Sequence, residues 1–100
     1  MTFSSNIYKI AAKIPKGKVA TYKQLARLAG NKNAARAVGM CMKHNADRKL
    51  VPCHRVVASD GSLTGYSYGK GISTKKNILL KEGVQFIGDK VNLSRSLWKK

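Results

Sequence analysis

Between residues 5 and 14 the apolar side chains fall at Ile7, Ile10, Ala11 and Ile14, the spacing of one helical face, and Pro15 with Gly17 closes that segment. A second helix is predicted from Thr21, whose hydroxyl suits an N-cap. Leu25, Leu28 and Ala29 form its apolar stripe, and Gly30 stands where a left-handed residue ends a helix. A third helix follows almost at once, capped by Asn33 and running to Lys43, with Ala34, Val38, Cys41 and Met42 on its inward face. Two short helices joined by a glycine-containing turn predict a helix-turn-helix, whose second helix normally enters a DNA groove.

The outward face of that third helix is bare. Ala35, Ala37 and Gly39 leave almost no side chain around Arg36, with Met40 and Lys43 on the same side, as suits a helix that presses close to something narrow. The plainer alternative is a surface arginine with no special role.

After Asn45 the pattern changes. Residues 50–57, "LVPCHRVV", set a proline, a cysteine, a histidine and an arginine inside an apolar run. Pro52 lacks a ladder N–H and holds Val51 extended, so the strand alternation is expected to break at Cys53, with a short strand over residues 55–57 and a turn at Ser59, Asp60 and Gly61. "STKKNILLKEG" predicts a helix capped by Ser73 or Thr74, stopped by Gly83, with Ile78, Leu79 and Leu80 inward. "VQFIGDKVNL" predicts a hairpin about Gly88 and Asp89, and Trp98 lies in the basic end beyond it. The whole reads as an α+β fold, a winged helix-turn-helix with small β-hairpin elements, one domain over residues 1–100.

Charge narrows the partner. Twenty Lys and Arg face only four acids, Asp47, Asp60, Glu82 and Asp89, for a net charge of +16. That is the footprint of a protein that meets phosphates. No apolar run approaches the roughly 20 residues of a membrane span, so no membrane partner is expected. The N-terminal stretch lacks the apolar core of a secretory signal, which predicts a place in the cytoplasm or nucleoid, or in the nucleus of a eukaryote. Two cysteines in such a chain are expected as thiols, Cys41 as a small core residue.

Cys53 invites chemistry. A reactive thiol needs its thiolate stabilised, and His54 and Arg55 follow it directly. In a regular strand their side chains would point apart, whereas a turn at Pro52 would let Cys53 and His54 line one pocket. Glu82, the chain's single glutamate, is the candidate to fix the imidazole tautomer. On spacing alone a nucleophile and a buried structural thiol both stand. Zinc fits poorly, because Cys53 and His54 are adjacent and Cys41 faces inward, even with His44 nearby. "GYSYGKG" matches no phosphate-binding glycine motif, so no cofactor is expected.

"TYKQLARLAGNKNAARAVG", "PCHRVV", "GYSYG" and "LLKEGV", in order and with near-constant spacing, resemble the DNA-binding and active-site domain of the O6-alkylguanine-DNA alkyltransferases. The resemblance implies that Cys53 takes the alkyl group from O6 of guanine in a single, irreversible, cofactor-free turnover. It implies His54 as base through a water, Glu82 as its orienter, Asn45 as hinge and Tyr66 as donor to the leaving base. It further implies that Tyr66, Ser67 and Val56 meet the guanine. Arg36 would enter the minor groove, Tyr22 would push on the target phosphate, and Thr21, Ala35, Gly39 and Lys43 would contact the DNA. The implied partner is double-stranded DNA containing O6-alkylguanine, bound by a monomer. The small size and the Trp near the end also resemble the alkyltransferase-like proteins, which bind the lesion without repairing it and call in excision-repair proteins. Those typically carry tryptophan in place of the cysteine, which is present here. A plain helix-turn-helix regulator would need base-reading polar side chains where Ala35, Ala37 and Gly39 stand.

Overall fold

The computed structural model describes residues 2–44, 50–64 and 70–99. Its first helix, α1 (Phe3–Ala11), begins before the apolar pattern does because the cap sets its start: the Thr2 hydroxyl accepts the Ser5 N–H at 3.1 Å. Ile14 joins the core from the turn beyond the helix. Strand β1 (Ala20–Thr21) runs straight into α2 (Tyr22–Leu28). Thr21 closes a capping box there, accepting the Gln24 N–H while the Gln24 side-chain oxygen accepts the Thr21 N–H. Gly30, at φ +94°, then takes the left-handed conformation its position requires.

The third helix, α3 (Ala35–Lys43), starts from Ala34 with no side-chain cap, so the expected Asn33 cap is not formed. Instead the Asn31 side-chain oxygen accepts the Asn33 N–H and holds Asn33 in a turn ahead of the helix. Val38, Cys41 and Met42 are buried as their spacing predicts, packed with Ile7, Ala11 and Leu25 in the larger core.

At the Pro52 break the chain forms a single 3-10 turn, Cys53–Arg55, and only then the strand β2 (Val56–Val57). β2 pairs with β1 in parallel, Ala20 opposite Val56 and Thr21 opposite Val57. Helix α4 (Ile72–Lys81) leaves from Gly71, and neither Ser73 nor Thr74 caps it; the Thr74 hydroxyl instead accepts the Lys70 N–H. Leu79 is fully buried, Ile78 is half-buried, and Leu80, turned about 100° from Leu79, is exposed rather than inward.

Strands β3 (Phe86–Ile87) and β4 (Lys90–Val91) form the expected hairpin about Gly88 and Asp89. It rests on Gly61, where a Cβ would lie 2.5 Å from the Val91 carbonyl oxygen. Only glycine permits that approach. After α5 (Leu93–Ser96) the chain returns alongside β1, with Val19 N–H donating to the Ser96 carbonyl and Trp98 N–H to the Val19 carbonyl. The smaller core, Val19, Val57, Leu63, Leu79, Val84 and Val91, joins the hairpin to the sheet.

Candidate functional site

The 3-10 turn does what a strand could not: Cys53 and His54 are both turned into the protein, 5% and 8% exposed. Behind them stands Glu82, at the C-terminal end of α4. His54 Nε2 lies 3.1 Å from each Glu82 oxygen. An ionised carboxylate only accepts, so this contact selects the Nε2–H tautomer and leaves Nδ1 with its lone pair. Burial lowers the affinity of His54 for a second proton, and the hydrogen bond and charge of Glu82 only partly restore it. The ring is therefore held neutral, as a base must be.

Arg55 is not a cation for the thiol, as its place in the sequence suggested. Its guanidinium grips the same carboxylate in a fork, Nε to Oε1 at 2.9 Å and Nη2 to Oε2 at 2.7 Å, and Nη1 donates to the Ile14 carbonyl at 2.8 Å. Burial would raise the Glu82 pKa, but the hydrogen bonds and charges of Arg55 and His54 outweigh it and hold the carboxyl below its usual range. Glu82 thus stays ionised with its position fixed from two sides.

Sequence reasoning missed Lys75. It is 1% exposed, and its ammonium donates to the carbonyls of Val56 at 2.7 Å and Thr64 at 3.0 Å. Burial lowers its pKa to about 8, opposed by the charge of Cys53. The signal was available, since Lys75, Leu79 and Glu82 share one helical face and Leu79 is core. Tyr22 approaches from the other side: its hydroxyl donates to the same Thr64 carbonyl at 3.2 Å. Burial raises the Tyr22 pKa, the hydrogen bonding with Thr64 lowers it, and the Cys53 charge raises it again.

Outside this cluster an open groove of about 580 Å³ runs between α2 and α3, lined by Tyr22, Ala35, Arg36, Gly39, Met40 and Lys43, with Ser59 and Thr64 at its far edge. Arg36 and Lys43 are exposed, and the small residues leave the helix backbone close to the surface. Tyr22 and Thr64 connect groove to cluster. Cys53 itself is buried and is not among the residues that line this groove. Val56 is wholly buried, main chain included, and its carbonyl already accepts from Lys75, so the expected contact of Val56 with the base is not offered in this structure. Thr21 is buried, its hydroxyl committed to the capping box. Asn45, Tyr66 and Ser67 lie outside the described residues. No three His, Cys, Asp or Glu side chains gather as a metal site among the described residues.

The family model described as "6-O-methylguanine DNA methyltransferase, DNA binding domain" matches residues 2–84. The methylated-DNA--protein-cysteine methyltransferase of Cricetulus griseus is 45% identical over 78 residues, 78% of this chain and 37% of that protein. The chain spans about a third to a half of the length of the methyltransferases of that name, the share being 48% for the Methanosarcina barkeri protein. Alkyltransferase-like protein 1 of Schizosaccharomyces pombe is 37% identical over 97% of this chain and 94% of its own length. The crystal structure of that S. pombe protein with damaged DNA containing O6-carboxymethylguanine superposes with a TM-score of 0.83 at 35% identity, over 98% of this chain and 95% of the other. The Mycobacterium tuberculosis alkyltransferase in complex with DNA gives 0.74 at 39% identity, over 82% and 49%. With the helix-turn-helix, the groove and the Cys53–His54–Glu82 cluster all in place, the chain belongs to the 6-O-methylguanine DNA methyltransferase DNA-binding-domain family.

Proposed function

We propose that the protein repairs double-stranded DNA by taking the alkyl group of O6-alkylguanine onto Cys53, once per molecule and without a cofactor. The observation that carries this reading is the His54 ring, held neutral by burial with Nε2 bound to Glu82, directly after a buried thiol. His54 accepts the thiol proton through a water. The buried Lys75 ammonium places a positive charge within electrostatic reach of the sulfur. The sulfur then forms a bond to the alkyl carbon as the carbon–O6 bond breaks, and guanine leaves with a proton donated by Tyr66, beside Ser67.

A lesion must leave the stack to reach a buried thiol, and an O6-alkylguanine pairs weakly enough to lower that cost. Arg36 fills the gap from the bare face of α3, while Tyr22 presses the neighbouring phosphate. The exposed lysines supply the sequence-independent affinity a repair protein needs. Asn45 serves as the hinge.

A second reading has its own support. Alkyltransferase-like protein 1 is matched over nearly its whole length, which favours a lesion-binding protein that marks O6-alkylguanine for excision repair. The two separate on one experiment: intact mass after incubation with a duplex bearing a single O6-methylguanine, with Cys53→Ser alongside. Transfer adds one methyl to the native chain and none to the variant. Tight binding of the same duplex with no mass gain would give the second reading.

A further inference from the structure

A second groove, of about 440 Å³, opens on the other side of α2, where the returning C-terminal segment lies beside it. Lys23 and Arg27 line it from the helix and Lys99 from the tail, with the Trp98 side of the segment as its wall. No acid lines it. The three acids among the described residues are all engaged elsewhere, Glu82 with Arg55 and His54, Asp89 with Lys76, and Asp60 with Lys90. Two of its neutral polar side chains are already engaged: Thr21 and Gln24 cap α2, and the Gln24 amide donates to the Trp98 carbonyl at 2.7 Å. What the groove offers a ligand is three cations and the Ser59 hydroxyl.

We propose that this groove seats the phosphodiester backbone of the same duplex, beyond the stretch under α3; the proposal rests on the DNA-binding reading above. The groove is open to solvent, whereas a small anion is usually held by donors that converge on one point in an enclosed site. The trough is continuous with the α3 groove, because Lys23 and Ser59 line both. Along α2, Arg27 stands four residues past Lys23, about 6 Å of helix rise and on the same face, so one rigid helix would meet the strand at successive places. Lys99 is mounted equally firmly, since the segment before it is tied to β1 and to Gln24.

The test is a salt titration of binding to a duplex of about 20 base pairs carrying O6-methylguanine, since each phosphate contact contributes about −0.9 to the slope of log affinity against log salt. Three proteins are compared: native, the double variant Arg27→Gln with Lys99→Gln, and a charge-matched double variant, Lys13→Gln with Lys81→Gln, at exposed positions lining neither groove. The groove variant should show a slope shallower by about 1.8, losing about tenfold less affinity than the native protein between 50 and 200 mM salt. The charge-matched variant should keep the native slope. Equal slopes in the two double variants would overturn the inference while leaving the DNA-binding reading intact. A native protein with no affinity for the duplex would remove both.

Discussion

Helices α3 and α4 carry their chemistry on opposite sides. α3 buries an ordinary apolar stripe of Val38, Cys41 and Met42 and keeps its charged groups, Arg36 and Lys43, in water. α4 leaves the apolar Ile72 and Leu80 exposed and turns Lys75 inward, with Glu82 beside its end. The difference follows from what each must do. A helix that meets a large anion works best with its cations outside on a low surface. On the proposed function, a helix that supports a reactive thiol and its base must place charge where water is scarce, because there a fixed charge acts strongly on its neighbours. Charged groups on α3 should therefore be dispensable for folding, and the inward pair Lys75 and Glu82 should not.

Glu82→Gln should cost the most stability, about 3 kcal/mol in urea unfolding, since it leaves the Arg55 guanidinium without its carboxylate in a largely buried site. It should also change the acid response. The unfolded chain binds a proton on His54 near pH 6.5 and on Glu82 near 4.5, and both groups bind theirs only at lower pH when folded. Native stability therefore falls as pH drops through 6.5 and falls again below 4.5. E82Q should keep the first loss and lack the share of the second that begins near 4.5, leaving the smaller loss below about 3.8 that Asp60 and Asp89 contribute. Lys75→Met should cost about 1–2 kcal/mol, the two orphaned carbonyls outweighing the relief of a buried charge. Its transfer rate should lag the native one at neutral pH, and the gap should close above about pH 8, where native Lys75 has lost its proton. Parallel rates across that range would remove the ammonium from the chemistry.

On α3 the effects on folding shrink. Cys41→Ala should cost about 1 kcal/mol and leave methyl transfer complete. Arg36→Ala should change stability by no more than about 0.5 kcal/mol while weakening binding of the O6-methylguanine duplex about tenfold or more. An Arg36→Ala protein that unfolds readily, or that binds the lesion as well as the native chain, would break the contrast between the helices.

Features set by neighbours in sequence were legible in advance. Thr21 capping α2, Gly30 ending it, the hairpin at Gly88 and Asp89, and the inward face of α3 all depend on contacts within a few residues. Pro52 was enough to predict that the strand would break at Cys53, and Glu82 was the candidate to orient His54 because the chain offers no other glutamate. What stayed hidden depends on the third dimension. The parallel pairing of β1 with β2 joins two-residue segments too short to show a period. Lys75 looked solvent-exposed by type, and only the meeting of Val56 and Thr64 around it supplies the carbonyls that make its burial tolerable. Arg55 had an equal claim on the thiol until the fold brought Ile14 and Glu82 to its other side.

The return of the C-terminal segment to β1 also bears on how the molecule assembles. Gln24 and Trp98, which touch through a hydrogen bond, stand 74 residues apart in the chain. Closing so long a loop is entropically costly, and contacts of this kind form late. α1, α2 and α3 can gather early around local contacts, so a nascent chain would hold its recognition helix before the trough beside α2 has a second wall. During synthesis, α3 would thus be in place before the surface beside α2 is complete.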